Sequence, residues 1–172
     1  MNDKYTDKTS EAIDDMYGLL SRYFIGLVIE IIGVAIINTI GLHFVAGLTF
    51  SMAVGIAFMT GLLNIIPYVG PFAGGVIGTF LGLILKYYSV HPMGIDVSFW
   101  GYIAILAGIF VFAQLIDNYI FQPIIYSNSV KAHPLEIFIV LLMAGYVGGV
   151  VGMLIAIPAY TVIRVFAAKF LS

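Results

Sequence analysis

The most concentrated polar side chains of this hydrophobic sequence fall within a short stretch past its midpoint. They are Gln114, Asp117, Asn118 and Gln122. At positions i, i+3, i+4 and i+8 of an α-helix, these side chains project from one side, within an arc of about 140°. Carboxylate and amide oxygens of this kind suit a hard cation or a small polar solute. The alternative is a helix end that reaches the lipid headgroups, where polar residues are common.

A second candidate, Glu30, stands near the middle of a long apolar stretch. A charged side chain at the centre of a bilayer costs about 2.5–3.5 kcal/mol on insertion scales, so it must face protein or water. Gly26, Gly33 and Gly41 fall within about 60° of Glu30 on an α-helix, which predicts a helix-contact face there. Glu30 is either a cation or proton site, or a neutral hydrogen-bonded carboxyl inside a helical bundle.

The composition decides the environment of these residues. Hydrophobic residues make up 62% of the chain and charged residues 9%, and the mean hydropathy is +1.09. Soluble domains carry about a quarter charged residues, so the lipid bilayer is the expected surrounding partner. The net charge of −2 and the lack of a basic stripe predict no nucleic-acid partner.

Other chemistry finds little support in the sequence. The chain has no cysteine, and its three histidines have no metal-ligand spacing, so we expect no metal site and no cofactor. The sequence contains no nucleophile-elbow, zinc-protease, P-loop or dinucleotide-binding motif, and we expect no enzyme activity.

The apolar blocks predict an all-α, polytopic integral membrane bundle whose helices are broken by proline and glycine. A helix needs about 20 mostly apolar residues to cross a bilayer. The predicted spans are 23–42, 44–66, 72–88, 99–116 and 135–166. The last block is too long for one ordinary span, and its glycines and proline favour a helical hairpin over a single tilted span. A polar, amphipathic N-terminal segment, 1–21, precedes a transmembrane domain, 22–172.

Proline and glycine also mark the predicted helix breaks and hinges. Proline cannot sit inside a regular helix without freeing a backbone carbonyl, which in lipid must be satisfied by protein or water. The predicted break and hinge positions are Pro67, Gly70, Pro71, Pro123, Gly148, Gly149, Gly152 and Pro158. In the third span, Gly74, Gly78 and Gly82 recur once per turn, which is typical of a face that packs closely on another helix.

Four motifs, in order, resemble one known family. They are Leu63-Asn-Ile-Ile-Pro-Tyr-Val-Gly-Pro71, Gln114-Leu-Ile-Asp-Asn118 with Pro123, His133-Pro134-Leu135, and Gly148-Gly-Val-Val-Gly152 with Ala156-Ile-Pro158. This combination is similar to the autoinducer-2 exporter family, also described as PerM-like permeases. Members of that family are about twice as long, and the match covers the C-terminal half of their architecture. The resemblance implies a broken helix at the first motif, a polar motif at Gln114–Asn118 and a flexible last element.

The predicted function follows from the resemblance and from polarity at membrane depth. It is a multi-pass permease or secondary transporter of the cytoplasmic membrane, which moves a small polar solute or exchanges sodium and protons. We expect it to form a homo-oligomer. The alternative is a non-transporting membrane scaffold, or a partial subunit that needs a missing N-terminal half.

The distribution of lysine and arginine predicts that both termini lie on the cytoplasmic side. With the last block folded as a hairpin, Lys4, Lys8, Arg22, Lys131, Arg164 and Lys169 lie inside, and only Lys86 lies outside. A reporter enzyme that is active only outside the cytoplasm should therefore be inactive when fused after Ser172. The same reporter inserted between residues 87 and 97 should be active. Strong activity after Ser172 would contradict this topology.

Overall fold

The computed structural model describes residues 2–66, 69–91, 93–126 and 133–170, and within these ranges the chain is helical, with no β-strand. The elements in chain order are α1 (Asn2–Ile40), a π-helical turn π1 (Gly41–Val45), α2 (Phe50–Leu63), α3 (Val69–Tyr87), α4 (Phe99–Ile116), a second π-helical turn π2 (Asp117–Phe121), α5 (Gln122–Tyr126) and α6 (Pro134–Phe170). The prediction of an all-α bundle is confirmed.

The chain folds as two compact units, which are described separately. A central unit contains Leu27–Pro123, and a terminal unit contains Met1–Gly26 together with Ile124–Ser172. Four helical stretches of the described residues are long and apolar enough to cross a membrane: Ser10–Val45, Val69–Tyr87, Phe99–Ile124 and Leu135–Ala167. Their outward faces carry many exposed Phe, Ile and Val side chains, as expected where lipid replaces water. The chain is therefore a multi-pass membrane protein.

Helix bounds and predicted spans agree best for the fourth span. Helix α4 occupies Phe99–Ile116, the predicted range, and Ser98 begins it by accepting a hydrogen bond from the Gly101 amide through its Oγ. Helix α1, by contrast, runs without interruption through the predicted boundary at residue 21. Helix α2 occupies only Phe50–Leu63 of the predicted 44–66 span. The division into 1–21 and 22–172 stays a prediction.

The core of the central unit is built from π1, α2 and α4. Leu42, Ala53, Ala57, Leu106 and Phe110 are buried together there. Helix α1 reaches α2 through small residues, since a Cβ on Gly61 would lie 3.0 Å from the Ile31 carbonyl oxygen and 3.4 Å from Ala35 Cβ. Small residues at such contacts let backbones approach closely when no hydrophobic effect drives helices together.

The predicted glycine row of α3 is buried along its whole length. Gly74 faces the Thr60 backbone, where a Cβ would lie 3.3 Å from the carbonyl oxygen. A Cβ on Gly78 would overlap the Phe110 ring, and one on Gly82 would lie 2.8 Å from a Leu106 methyl group. The row therefore packs against α2 at one end and α4 along the rest. These contacts fix α3 and α4 as antiparallel neighbours.

The break between α2 and α3 lies between Leu63 and Val69, and the predicted hinge Pro67 falls outside the described residues. Gly70 and Pro71 lie in the first turn of α3, where a proline loses no helical hydrogen bond. A Cβ on Gly70 would overlap the Leu63 carbonyl, so this turn requires glycine. Pro123 is the second residue of α5. The hinge roles of these residues stay predictions.

In the terminal unit, α6 folds back on itself at Gly149, which has φ 57° and ψ −142°. Tyr160 Oη donates a hydrogen bond of 2.6 Å to Glu136 Oε2. In a straight helix these residues would be about 36 Å apart. The predicted C-terminal hairpin is therefore confirmed, with arms at 134–148 and 150–170. The two arms meet around Leu141 and Ile157, which are buried with Tyr23 of α1.

The other predicted hinge residues of α6 surround this turn. A Cβ on Gly152 would overlap the Ala144 carbonyl, so the arms approach there at backbone distance, whereas a Cβ on Gly148 would meet nothing within 4 Å. Pro158 lies inside the second arm. Arg164 adds an ion pair to Glu136 at 3.9 Å. The hairpin is thus closed by small residues near its tip and by polar contacts near its base.

The glycine contacts yield a direct test of packing. Gly78→Leu should strongly reduce the yield of folded, detergent-stable protein, because the new side chain would have to displace the Phe110 ring. Gly108→Leu on α4 is the matched control, since a Cβ there would meet nothing within 4 Å. The measurement is the monodisperse fraction after purification, together with the melting temperature. Equal recovery of both variants would contradict the close packing of α3 on α4.

Candidate functional site

The four polar residues predicted from the sequence form a closed hydrogen-bonded ring. Gln114 Nε2 donates to Asp117 Oδ2 at 3.3 Å and to Asn118 Oδ1 at 3.0 Å. Gln122 Nε2 donates to the same two oxygens, at 2.8 Å and 3.0 Å. An amide nitrogen has two hydrogens, so each glutamine uses both of its hydrogen-bond donors within this ring. Each keeps its side-chain carbonyl oxygen, which is an acceptor. We call these four residues the amide ring.

The π-helical turn explains why the ring closes. In a regular α-helix Gln122 would lie well to one side of Gln114, at an angle of about 80°. In π2 the backbone N–H of Gln122 instead bonds to the Asp117 carbonyl, five residues back. The extra residue per turn brings Gln122 over both Asp117 and Asn118, so that its one side chain reaches both. Sequence spacing predicted the polar face but not this additional turn geometry.

The Asp117 carboxyl is the buried member of the ring, with 0% of its surface exposed. Its Oδ2 accepts both glutamine bonds, while its Oδ1 has no amide or hydroxyl donor among the residues that the structure describes. The carboxyl of Glu30, itself 2% exposed, lies within hydrogen-bonding reach of Asp117. Ionised carboxylates only accept hydrogen bonds, so a bond between the two requires a proton on one of them. The structure thus joins two residues that the sequence suggested separately.

Helix α1 brings Glu30 to this position through its glycine face. A Cβ on Gly33 would lie 2.5 Å from the Phe121 ring of π2. A Cβ on Gly41 would lie 3.2 Å from Ile109 Cγ1 of α4. The predicted helix-contact face around Glu30 is therefore in contact with α4 and π2. A larger side chain at Gly33 would push Glu30 away from Asp117.

A groove of about 920 Å³ runs along the outer seam between α3 and α4. Its apolar walls include Phe72, Val76 and Phe80 of α3, and Ile103 and Phe110 of α4. Gln114, Asn118 and Gln122 line it as well. Because α3 and α4 are antiparallel, these three residues lie at the end of the groove where α3 begins. The groove therefore reaches the amide ring, whose buried member Asp117 does not line the groove.

A second buried polar set was missed by the sequence analysis. Asn38 Nδ2 donates to Thr60 Oγ1 at 3.3 Å, and Asn64 lies one turn beyond Thr60. All three are buried. Asn38 Oδ1 and Asn64 Nδ2 have no hydrogen-bond partner within the described part of the chain. The available signal was the polarity of Asn38 within an apolar helix, eight residues after Glu30.

The site offers oxygen ligands but no cluster typical of transition metals. In the described ranges, no three His, Cys, Asp or Glu side chains come together. What it does offer is a carboxyl pair with amide oxygens next to it. Hard cations such as sodium take carboxylate and amide oxygens, and a proton is held by the same carboxyl oxygens. The arrangement therefore provides oxygen ligands of the kind that suit a proton or a hard cation.

Comparison with known proteins gives a consistent result over the whole chain. A family model described as "AI-2E family transporter" matches residues 1–172. "Putative transport protein YueF" of Bacillus subtilis (strain 168) is 30% identical over 162 residues, which is 94% of this chain and 40% of that protein. The protein of the same organism named "Putative transport protein YrrI" is 31% identical over 127 residues, 74% of this chain and 32% of that protein.

The matched regions thus cover well under half of these two curated relatives. A more distant similarity is to "Putative transport protein MT0215" of Mycobacterium tuberculosis (strain CDC 1551 / Oshkosh), 28% identical over 88 residues, 51% of this chain and 22% of that protein. No solved structure matches the chain.

The amide ring can be tested by its effect on stability. Gln122→Leu keeps the size of the side chain but removes the 2.8 Å bond to the buried Asp117 oxygen. We expect the free energy of unfolding to fall by about 1–3 kcal/mol, because a buried carboxyl oxygen loses a donor. The measurement is reversible unfolding in mixed micelles. Ile120→Leu, an exposed position of the same π-turn, is the control, and an equally small change in both variants would contradict a stabilising ring.

Proposed function

This chain belongs to the AI-2E transporter family, and we propose that it is a permease of the cell membrane that uses the Glu30–Asp117 carboxyl pair as its proton- or cation-binding site. Membership of a transporter family supports transport, and not catalysis, as its role. The site assignment rests on one observation: the buried carboxyl of Glu30 meets the buried Asp117 of the amide ring, at the end of a groove. The substrate in this proposal is a small solute or sodium.

The net charge of the pair decides what it can bind in a low-dielectric environment. Two ionised carboxylates without a counter-charge would be very unfavourable inside the bundle. One proton shared by the pair leaves a single negative charge, and so does one sodium ion bound by both ionised carboxylates. The two loaded states carry the same charge, so exchanging them requires no net charge transfer into the protein. This equality makes the pair suited to proton–cation exchange.

The amide ring has a supporting role in the proposal. Gln114 and Gln122 hold Asp117 Oδ2 from two sides, which fixes the carboxyl while its other oxygen stays available to Glu30 or to a cation. Their retained carbonyl oxygens can accept hydrogen bonds from a solute in the groove. The predicted transport residues Glu30, Gln114, Asp117, Asn118 and Gln122 thus divide into a carboxyl pair and its amide surroundings. As for assembly, we propose a homo-oligomer in the cytoplasmic membrane.

Asp117→Asn tests the assignment, because it keeps the size and the hydrogen bonding of the side chain but cannot be ionised. We expect the variant to be expressed and folded like the wild type and to lose pH-dependent flux. The measurement is sodium or solute flux into proteoliposomes across an imposed pH gradient. Asp96→Asn is the matched control, since it removes the same charge from an exposed loop residue, and it should leave the flux unchanged.

Two outcomes would count against the proposal. Unchanged pH dependence in Asp117→Asn would reduce the pair to a structural contact. Absence of any flux in the wild-type chain, when a full-length relative is active in the same vesicles, would favour the alternative of a scaffold or partial subunit.

A further inference from the structure

The groove has a chemistry that does not fit a fully water-soluble solute. Its walls are dominated by Phe, Val, Leu and Ile side chains, and Phe72 and Phe80 are 76% and 63% exposed. Since α3 and α4 present these side chains outward in a membrane-spanning chain, the groove opens toward lipid tails and not toward water. A molecule that enters it from the bilayer must carry an apolar part that matches these walls.

The polar end of the groove determines which headgroup a bound amphiphile can carry. Both glutamines use their amide hydrogens within the ring and keep their carbonyl oxygens as acceptors. Among the residues that the structure describes, the groove lining includes no Lys, Arg or His. The carboxyl of Asp117 is bonded to both glutamines, and that of Glu30 lies beside it. An anionic headgroup would find no counter-charge on the described lining residues, whereas an ammonium group donates three hydrogen bonds and accepts none.

We propose that the groove between α3 and α4 binds a single-tailed amphiphile with an ammonium headgroup, taken up sideways from the bilayer. The inference rests on the proposed function, for which it specifies the substrate class. The tail lies against Phe72, Val76 and Phe80, and the ammonium group binds the retained oxygens of Gln114 and Gln122.

The length of the groove agrees with one extended tail. Its α3 wall runs from Pro71 to Leu83, which is about 18 Å along a helix. A compact hydrophilic solute would fill only the polar end and would leave the apolar walls in contact with lipid. Ligand pockets of about 300–1,000 Å³ are usual for small molecules, and the volume of about 920 Å³ lies within that range.

Binding at this position couples to the carboxyl pair through charge. The ammonium position is next to Gln114 and Gln122, whose side-chain amides bond directly to Asp117. The bound cation and the proton shared by Glu30 and Asp117 are two positive charges at close range in a medium of low dielectric constant, so each disfavours the other. Uptake of the amphiphile therefore favours release of the proton, which is the exchange that a secondary transporter requires.

The test is a binding measurement that does not depend on transport. Trp100 is the single tryptophan, so Phe72→Trp in a Trp100→Phe background places one fluorophore in the groove. The protein is reconstituted in bilayers of zwitterionic lipid and titrated with an alkylammonium that carries bromine on its tail. We expect saturable quenching with this probe, and only weak, linear quenching with the alkyl sulfonate of the same brominated tail.

Two matched variants separate the groove from ordinary lipid contact. Phe112→Trp in the same background reports from an exposed residue of α4 that does not line the groove, and there both probes should quench equally and without saturation. Asn118→Lys places a cation at the polar end on an exposed side chain. It should weaken ammonium binding about tenfold or more and should strengthen sulfonate binding.

Quenching that is indifferent to the headgroup, or identical at positions 72 and 112, would overturn the inference and identify the groove as a lipid-filled seam. The proposed function fails separately, by unchanged pH-dependent flux in Asp117→Asn. Saturable ammonium binding alongside that unchanged flux would leave the groove assignment standing and remove only the carboxyl pair as the coupling site.

Discussion

In a bilayer core no water is present to hydrogen-bond polar groups, so the protein itself must supply their partners. The central unit is organised around this requirement at Asp117. A fully buried carboxyl in hydrocarbon is tolerated only when protein groups surround it. Here two glutamine amides hold one oxygen, and a second carboxyl approaches from another helix. The π-turn is the local backbone distortion that makes this possible, because it aligns Gln122 with Asp117. At this position the hydrogen bonding of the site therefore depends directly on the backbone geometry of the helix.

Close helix approach is the second requirement, and glycine supplies it. Glu30 reaches Asp117 because Gly33 lets α1 lie against Phe121. The groove has its shape because Gly78 and Gly82 let α3 lie against Phe110 and Leu106. Without a hydrophobic driving force between helices, such contacts depend on van der Waals packing at short distance. The site thus depends on residues that have no chemistry of their own.

Much of this could be predicted from residue types and spacing. The range of α4, the presence of a C-terminal hairpin, the glycine row of α3 and the polar face at Gln114–Gln122 all follow from composition and from a period of 3.6 residues. The remainder depends on information that a periodic pattern does not contain. A single π-turn changes the spacing by one residue and leaves no mark in hydropathy. The glycines around Glu30 predict that this face of α1 contacts another helix. Which helix it contacts is decided by tertiary packing between residues far apart in the sequence.

Two helices, α1 and α2, have bounds that differ from the predicted spans, and local features of the chain explain both differences. Helix α2 begins only at Phe50 because π1 and a loop with a positive φ at Gly47 precede it, although the apolar run itself is uninterrupted. Helix α1 extends back to Asn2, since a polar sequence outside the bilayer can continue a helix that apolar residues began. Hydropathy locates the lipid-facing part of a helix and not its ends.

The π-turn also constrains how this chain can vary in evolution. In geometric terms, π2 is what an α-helix becomes when one residue is inserted and the rest of the helix absorbs it. Straightening π2 into regular α-helix with all five of its residues kept would rotate everything that follows by about 100°. Gln122 would then turn away from Asp117 although every ring residue is still present in the sequence. A substitution that straightens this turn therefore disrupts the site as surely as one that replaces a ring residue.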